Sequence, residues 1–139
     1  MTGKLLFVCV ENAGRSLMAE AFARSLGLNA VSAGTIPASE PNPLVVEAMS
    51  ELGIDIMPGM PKKLTLEMIN DADLVVTMGC SVEQACPKPM IAEMNRKLVD
   101  WSLEDPKGRP IEEIRGIRDD IRRRVRELAG VSDENSVTE

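Results

Sequence analysis

Histidine is absent from this 139-residue chain, and so is tyrosine; it has one tryptophan, two phenylalanines and three cysteines. Without histidine, Ser–His–Asp and Cys–His catalysis are excluded, as are the common histidine-containing zinc sites. Proton transfer must fall to Asp, Glu, Lys or a thiol. The shortage of aromatics leaves an aliphatic core with nine methionines, a residue that fills irregular gaps. No apolar stretch approaches the length that crosses a bilayer. The short N-terminal apolar run leads straight into a motif and does not read as a secretory leader. Three cysteines in such a chain suit a reducing cytoplasm and thiol chemistry better than a structural disulfide framework. The net charge of −6 argues against nucleic acid or an anionic membrane as the main partner. It does not argue against a small anion, because a local socket overrules the global sign.

Such a socket is written in Cys9-Val10-Glu11-Asn12-Ala13-Gly14-Arg15-Ser16. Leu5-Leu6-Phe7-Val8 reads as a strand buried on both faces, with Cys9 at its carboxyl end. The chain must then turn, and Gly14 suits a backbone that a side chain would resist. Helical spacing begins at Ser16, so the unpaired N–H groups of a helix start face back towards the sulfur. Loop amides and the forked guanidinium of Arg15 make a binding site for a tetrahedral oxyanion. The same positive field favours Cys9 as a thiolate, the nucleophilic form. A buried strand cysteine before an ordinary turn is the plainer reading, and it explains neither Arg15 nor Ser16.

Further along, Met18, Ala21, Phe22 and Leu26 recur at helical spacing before Gly27. Ala30 to Thr35 reads as a second strand. Asn42-Pro43 caps a helix with Val45, Ala48, Met49 and Leu52 on one face. Leu64, Met68 and Ile69 suggest a shorter helix, and Ala72 to Met78 a third strand. Leu98 to Trp101 is a fourth strand, Glu104 to Gly108 a turn. A last helix runs from Pro110 to about Leu128 with Ile114, Ile117, Ile121, Val125 and Leu128 inward; Arg115, Arg118, Arg122 and Arg126 make a solvated stripe. The alternation predicts an α/β fold, a single domain over residues 1–130 with a four-stranded parallel sheet of order 2-1-3-4 flanked by helices. Residues 131–139 read as a disordered tail. Ligands in such sheets sit at the carboxyl ends of strands beside the switch point. That rule gathers Cys9, Cys80 and the Asp105 turn, which follow strands one, three and four.

Five residues separate Cys80 from Cys86. Three readings stand at this point: two ordinary reduced thiols, a metal site needing a carboxylate as fourth ligand, or a relay in which Cys80 resolves a bond on Cys9 and Cys86 resolves Cys80. A regular helix over 80–86 would hold the two Cα atoms about 9 Å apart along its axis on nearly opposite faces. A disulfide needs about 7 Å or less, so the segment must loop or unwind for the pair to join. Gly79, Pro87 and Pro89 suit that. Candidate proton donors are Asp100, Glu104 and Asp105.

The octapeptide resembles the Cys-x5-Arg-Ser phosphate loop of the low-molecular-weight tyrosine phosphatases and their relatives, the thioredoxin-coupled arsenate reductases. Ser32-Ala33-Gly34-Thr35, Val75-Val76-Thr77-Met78-Gly79-Cys80, Cys86-Pro87 and Asp100-Trp101-Ser102-Leu103-Glu104-Asp105-Pro106 are similar to the reductases, and the likeness spans residues 4 to 128. It implies a phosphatase-like fold and an arsenate reductase using Cys9, Cys80 and Cys86 in a relay, with thioredoxin or a similar dithiol as external reductant and no bound cofactor. In it Val10, Glu11, Asn12, Ala13, Gly14 and Arg15 form the oxyanion loop, Ser16 steadies the thiolate, and Asp105, before the proline, is the general acid. The phosphatases follow that proline with aromatics for phosphotyrosine; here Lys107-Gly108 follows, which weakens a phosphatase reading. Glu11 replaces a small residue and is expected to face solvent, since pointing inward it would repel an oxyanion. Some members bind potassium near the loop. Asn12, Glu20 and Ser32 match that site, but Lys62 and Lys63 stand where another acid is expected, so no metal is assigned. The expectation is a cytoplasmic monomer acting on arsenate or phosphate. The alternatives are a phosphatase for a phosphoprotein or small phosphoester, and a non-enzymatic redox sensor or arsenite-binding protein.

Arsenate, phosphate and sulfate are expected to compete for the loop, and Arg15→Lys to weaken all three, because a point charge replaces a bidentate fork. Isothermal titration with each anion checks this; equal affinity in the lysine variant would show that Arg15 does not line the socket.

Overall fold

The computed structural model describes residues 3–56, 61–78, 98–101, 103 and 106–130. Cys80, Cys86 and Asp105 lie outside the described residues, as do Glu104 and the tail from 131. Four strands, β1 (Lys4–Cys9), β2 (Asn29–Gly34), β3 (Leu74–Thr77) and β4 (Leu98–Asp100), alternate with helices α1 (Arg15–Ser25), α2 (Pro43–Ser50), α3 (Leu66–Asp71) and α4 (Ile111–Leu128). They form one parallel sheet in the order β2-β1-β3-β4, as the alternation predicts.

β1 lies at the centre, and its pleat sends side chains to two cores. Leu5, Phe7 and Cys9 join α1, α2 and α4 in the larger cluster, with Met18, Val45, Met49, Ile114 and Ile121. Leu6 and Val8 join Ile69 of α3, with Leu64 and Val75. Both faces of β1 are thus buried, which explains why its sequence is apolar without alternation. The register sets Cys9 opposite Gly34 on one side and Val8 opposite Thr77 on the other. The nucleophile candidate therefore ends the central strand, flanked by the ends of β2 and β3.

Element ends differ from expectation for identifiable reasons. The short helix α3 begins at Leu66, because Thr65 Oγ1 accepts from Met68 N at 3.2 Å and caps it. Leu64 is instead tied to β2 through Leu64 N–H to Gly34 O, 2.8 Å. The β3 ladder covers Leu74–Thr77 because Ala72 ends α3, although Asp73 N and Met78 N still donate to Lys4 O and Val8 O. Asn42 caps α2 through Leu44 N at 3.0 Å with Pro43 following, as read from the sequence. Trp101 lies just past β4, where its ring meets Phe7 at 5.8 Å and Arg124 stands 5.9 Å above it. No helix among the described residues is long and apolar enough to cross a membrane.

The arginine stripe on α4 is not simply solvated, which corrects the sequence reading. Arg115 clamps Glu51 with Nε and Nη2, the latter at 2.6 Å, and Arg118 adds Nη1 to Glu51 Oε1 at 2.8 Å and to Ala48 O at 2.9 Å. Arg118 is buried against the end of α2. The guanidinium reach of one helix to the other is a tertiary contact that helical periodicity does not encode. The Arg115 hydrogen bond does most to hold the Glu51 carboxyl below its ordinary value of 4.5; desolvation opposes it and Arg118 reinforces it. A carboxyl lowered on folding contributes stability that is complete above its unfolded value and disappears as pH falls through the folded one. Glu51→Gln is therefore expected to lower Tm at neutral pH and to match the unsubstituted protein in acid well below 4.5. A Tm difference that persists unchanged into acid would refute the ion-pair account.

Candidate active site

The loop between β1 and α1 is shaped by where its carbonyls go. Cys9 O, Val10 O, Glu11 O and Ala13 O accept from Thr35 N, Ile36 N, Ala38 N and Asn42 N, at 3.3, 2.8, 2.9 and 2.9 Å. These donors lie in the segment that links β2 to α2, outside the loop. In a trans peptide the next residue's N–H points opposite the carbonyl. The amides of Val10, Glu11, Asn12 and Gly14 are therefore turned to the inner side, and Asn12 N reaches Cys9 Sγ at 3.2 Å. The first turn of α1 adds its own N–H groups: Gly14 makes no side-chain cap and the turn holds no acid to compete with an anion.

Two glycines matter through close approach. A Cβ on Gly34 would lie 2.6 Å from Val10 O and 2.8 Å from Asn12 N, so the loop rests directly on the end of β2. A Cβ on Gly14 would meet Pro106 Cγ at 2.8 Å. Its lack of a side chain thus also admits the proline that follows the Asp105 position. The left-handed residue in the loop is Asn12, at φ 50°, a conformation asparagine tolerates better than most residues.

Asn12 is also the hub of a buried network. Its Oδ1 accepts from Lys62 N at 2.8 Å, which sets the amide orientation. Its Nδ2 then donates to Ser16 Oγ at 2.7 Å and to Ser32 Oγ at 3.0 Å. Ser16 Oγ, already an acceptor, has its own hydrogen for Cys9 Sγ 2.9 Å away. Ser32 spends its hydrogen on Glu20 Oε1. Cys9, 3% exposed, thus accepts from Asn12 N and lies within hydrogen-bond reach of Ser16 Oγ.

Arg15 is fixed from the far side of the sheet. Its Nη1 donates to Met78 O at 2.8 Å and Leu103 O at 2.9 Å, at the ends of β3 and β4. Cys9, Arg15, Glu11 and Gly14 line one cavity of about 240 Å³, with Ala38, Pro41, Pro43 and Pro106 as apolar walls. Glu11 is half-buried and turned to the rim, where its Oε2 meets Lys107 Nζ at 3.3 Å. The charge that would repel an anion is answered by the lysine after Pro106. Ser16 and the loop residues gather around Cys9, whereas sequence reading missed the hub role of Asn12, the seat provided by Gly34 and the two carbonyls that aim Arg15. An asparagine inside the loop and the Ser32–Gly34 stretch were the available signals.

The residues matched to a potassium site meet, but they do not fit the ion. Asn12 Oδ1 is occupied by Lys62 N, and Glu20 is bound by Ser32, by Arg24 Nη2 at 2.9 Å and by Lys62 Nζ at 3.7 Å. Two cations already compensate the one carboxylate, which leaves no net negative charge there to attract a further ion.

Residues 4–138 match the family model for low molecular weight phosphotyrosine protein phosphatase. An arsenate reductase from Bacillus cereus is 36% identical over 132 residues, covering 93% of this chain and 96% of that protein. The structure of a Corynebacterium glutamicum thioredoxin-dependent arsenate reductase is 37% identical with TM-score 0.72, covering 99% of this chain and 64% of that one. An arginine phosphatase from Geobacillus stearothermophilus is 29% identical with TM-score 0.81, covering 92% and 91%.

Gly34→Ala is expected to lift the loop from its seat. It should cost about 1–3 kcal/mol of stability, as overpacking does, and weaken phosphate binding far more than the conservative size change suggests. Thermal unfolding with and without phosphate measures both. Unchanged phosphate binding would show that the loop does not depend on β2.

Proposed function

Because this chain belongs to the low molecular weight phosphotyrosine protein phosphatase family, we propose that its site is built for tetrahedral oxyanions and that the protein reduces arsenate. The observation that carries the first part is Cys9 at the head of a loop of inward amides, with Asn12 N donating to its sulfur and Ser16 Oγ 2.9 Å from it. The second part rests on the two further cysteines, with the names of the relatives in support. β3 lies beside β1 and ends at Thr77, three residues before Cys80.

Arsenate enters the loop, its oxygens held by the inward amides and Arg15. Cys9 thiolate attacks arsenic, a sulfur–arsenic bond forms, and the departing oxygen takes a proton from Asp105. Cys80 thiolate then attacks Cys9 sulfur. The sulfur–arsenic electron pair stays with arsenic, which leaves as arsenite, and a Cys9–Cys80 disulfide remains. Cys86 attacks Cys80, freeing Cys9, and the Cys80–Cys86 disulfide passes to thioredoxin or a similar dithiol donor. The balance is two electrons from two thiols to one arsenic. Such a cycle belongs in the reducing cytoplasm and needs no metal.

The order of the relay is testable. After one equivalent of arsenate without donor, peptide mapping is expected to find a Cys80–Cys86 bond in the unsubstituted protein and a Cys9–Cys80 bond in Cys86→Ser. Cys80→Ser should lose reductase turnover while keeping slow phosphatase activity. A phosphatase would form no arsenate-dependent bond in any variant, and a passive redox sensor would form bonds with peroxide as readily as with arsenate. Either result overturns the reductase reading.

A further inference from the structure

Glu20 is a carboxylate 6% exposed in the first core layer, and nothing in the proposed chemistry uses it. It is nevertheless joined to the nucleophile. From Asn12 the amide hydrogens run two ways: through Ser16 to Cys9 and through Ser32 to Glu20. A thiolate at one end and a carboxylate at the other draw on the same amide. Two anions sharing a buried network disfavour each other's charge, and little water screens them there.

The compensation is built in. Lys62 Nζ lies 3.7 Å from Glu20 Oε1 and Arg24 Nη2 2.9 Å from Oε2. Lys62 does this from a fixed position, because Lys62 O accepts from Gly34 N at 2.8 Å and Leu64 N returns to Gly34 O at 2.8 Å. Its backbone N–H also sets Asn12 in the orientation that sends both amide hydrogens to the serines. One residue thus orients the hub and neutralises the anion behind it.

We infer that Lys62, seconded by Arg24, is a resident cation of the catalytic loop: a positioning residue that offsets Glu20 so that the Asn12–Ser16 arm can hold Cys9 as a thiolate without a bound metal ion. The inference rests on the reading of Cys9 as the nucleophile and on nothing about arsenic. It places control of the thiol at the far end of a path through Glu20, Ser32, Asn12 and Ser16, on a lysine outside the Cys-x5-Arg loop.

The test uses Cys80→Ser/Cys86→Ser protein, in which Cys9 is the only thiol, and follows its alkylation by iodoacetamide, a neutral reagent, at neutral pH. In choline chloride Lys62→Met should slow alkylation about threefold to tenfold, the size of a coupling inside one network. Lys62→Arg should keep the parent rate, and so should Lys63→Met. Adding Glu20→Gln to Lys62→Met should restore the rate, since the uncompensated anion is then gone. Replacing choline by potassium at equal ionic strength should leave the parent unchanged. Three results would each overturn the inference: a parent that speeds up in potassium, a Lys62→Met protein that alkylates at the parent rate, or a double variant as slow as Lys62→Met. The last would mean that the lysine matters for packing alone. Because alkylation requires neither arsenate nor a reductant, failure here is distinct from failure of arsenate reduction.

Discussion

The site depends on the outward turn of four carbonyls. A loop that must present N–H groups to an anion has to dispose of the C=O groups of the same peptides, and an unpaired carbonyl beside a buried thiol is costly. Here the segment from Thr35 to Asn42 takes those of Cys9, Val10, Glu11 and Ala13. That segment can lie alongside only because β2 pairs with β1 in the register that sets Gly34 beside Cys9, and only because position 34 has no Cβ. The socket is in this sense a product of strand pairing. The octapeptide supplies amides, an arginine and a thiol; the neighbouring strand decides which way they face.

An acidic protein proposed to bind an anion faces an electrostatic problem that the charges around the loop address locally. Among the described residues, Glu40 lies on the cavity wall and two other carboxylates lie close to the loop. Glu11 stands at the rim and is met by Lys107, an exposed pair that is open to salt screening. Glu20 is buried behind the loop and is met by Arg24 and Lys62, whose own side chains reach solvent. Arg15, a positive group that lines the cavity, is anchored on carbonyls of Met78 and Leu103, which orient its guanidinium.

The two halves of the fold carry different loads. Around β1 the contacts are apolar and continuous, with Phe7 leading to Trp101 and onward to Arg124 of α4. Between α2 and α4 the clamp is ionic, through Arg115, Arg118 and Glu51. The helices that cover the larger core thus combine an apolar face towards the sheet with guanidinium contacts between themselves, and α2 follows directly from the Asn42 that receives Ala13 O. Anything that loosens α2 reaches the loop through that one hydrogen bond.

By itself the sequence determined what is local or periodic. Runs of apolar residues marked β1 and β3, helical spacing marked α4 with Ile114, Ile117, Ile121 and Val125 inward, and Asn42-Pro43 marked a helix start; the alternation of types then left a parallel sheet as the economical assembly. The spacing of Cys9, Arg15 and Ser16 was equally legible, because strand end, loop and helix start follow one another along the chain. Tertiary structure alone decided the partners drawn from far away. Lys62 N meets Asn12 Oδ1 across 50 positions, Leu103 O meets Arg15 across 88, and Arg115 meets Glu51 across 64. No periodicity predicts such meetings, since they depend on how strands are ordered and how far a side chain reaches once they are. That is why the candidate loop residues could be named from the sequence, while the groups that orient them and balance their charge became visible only when the chain was folded.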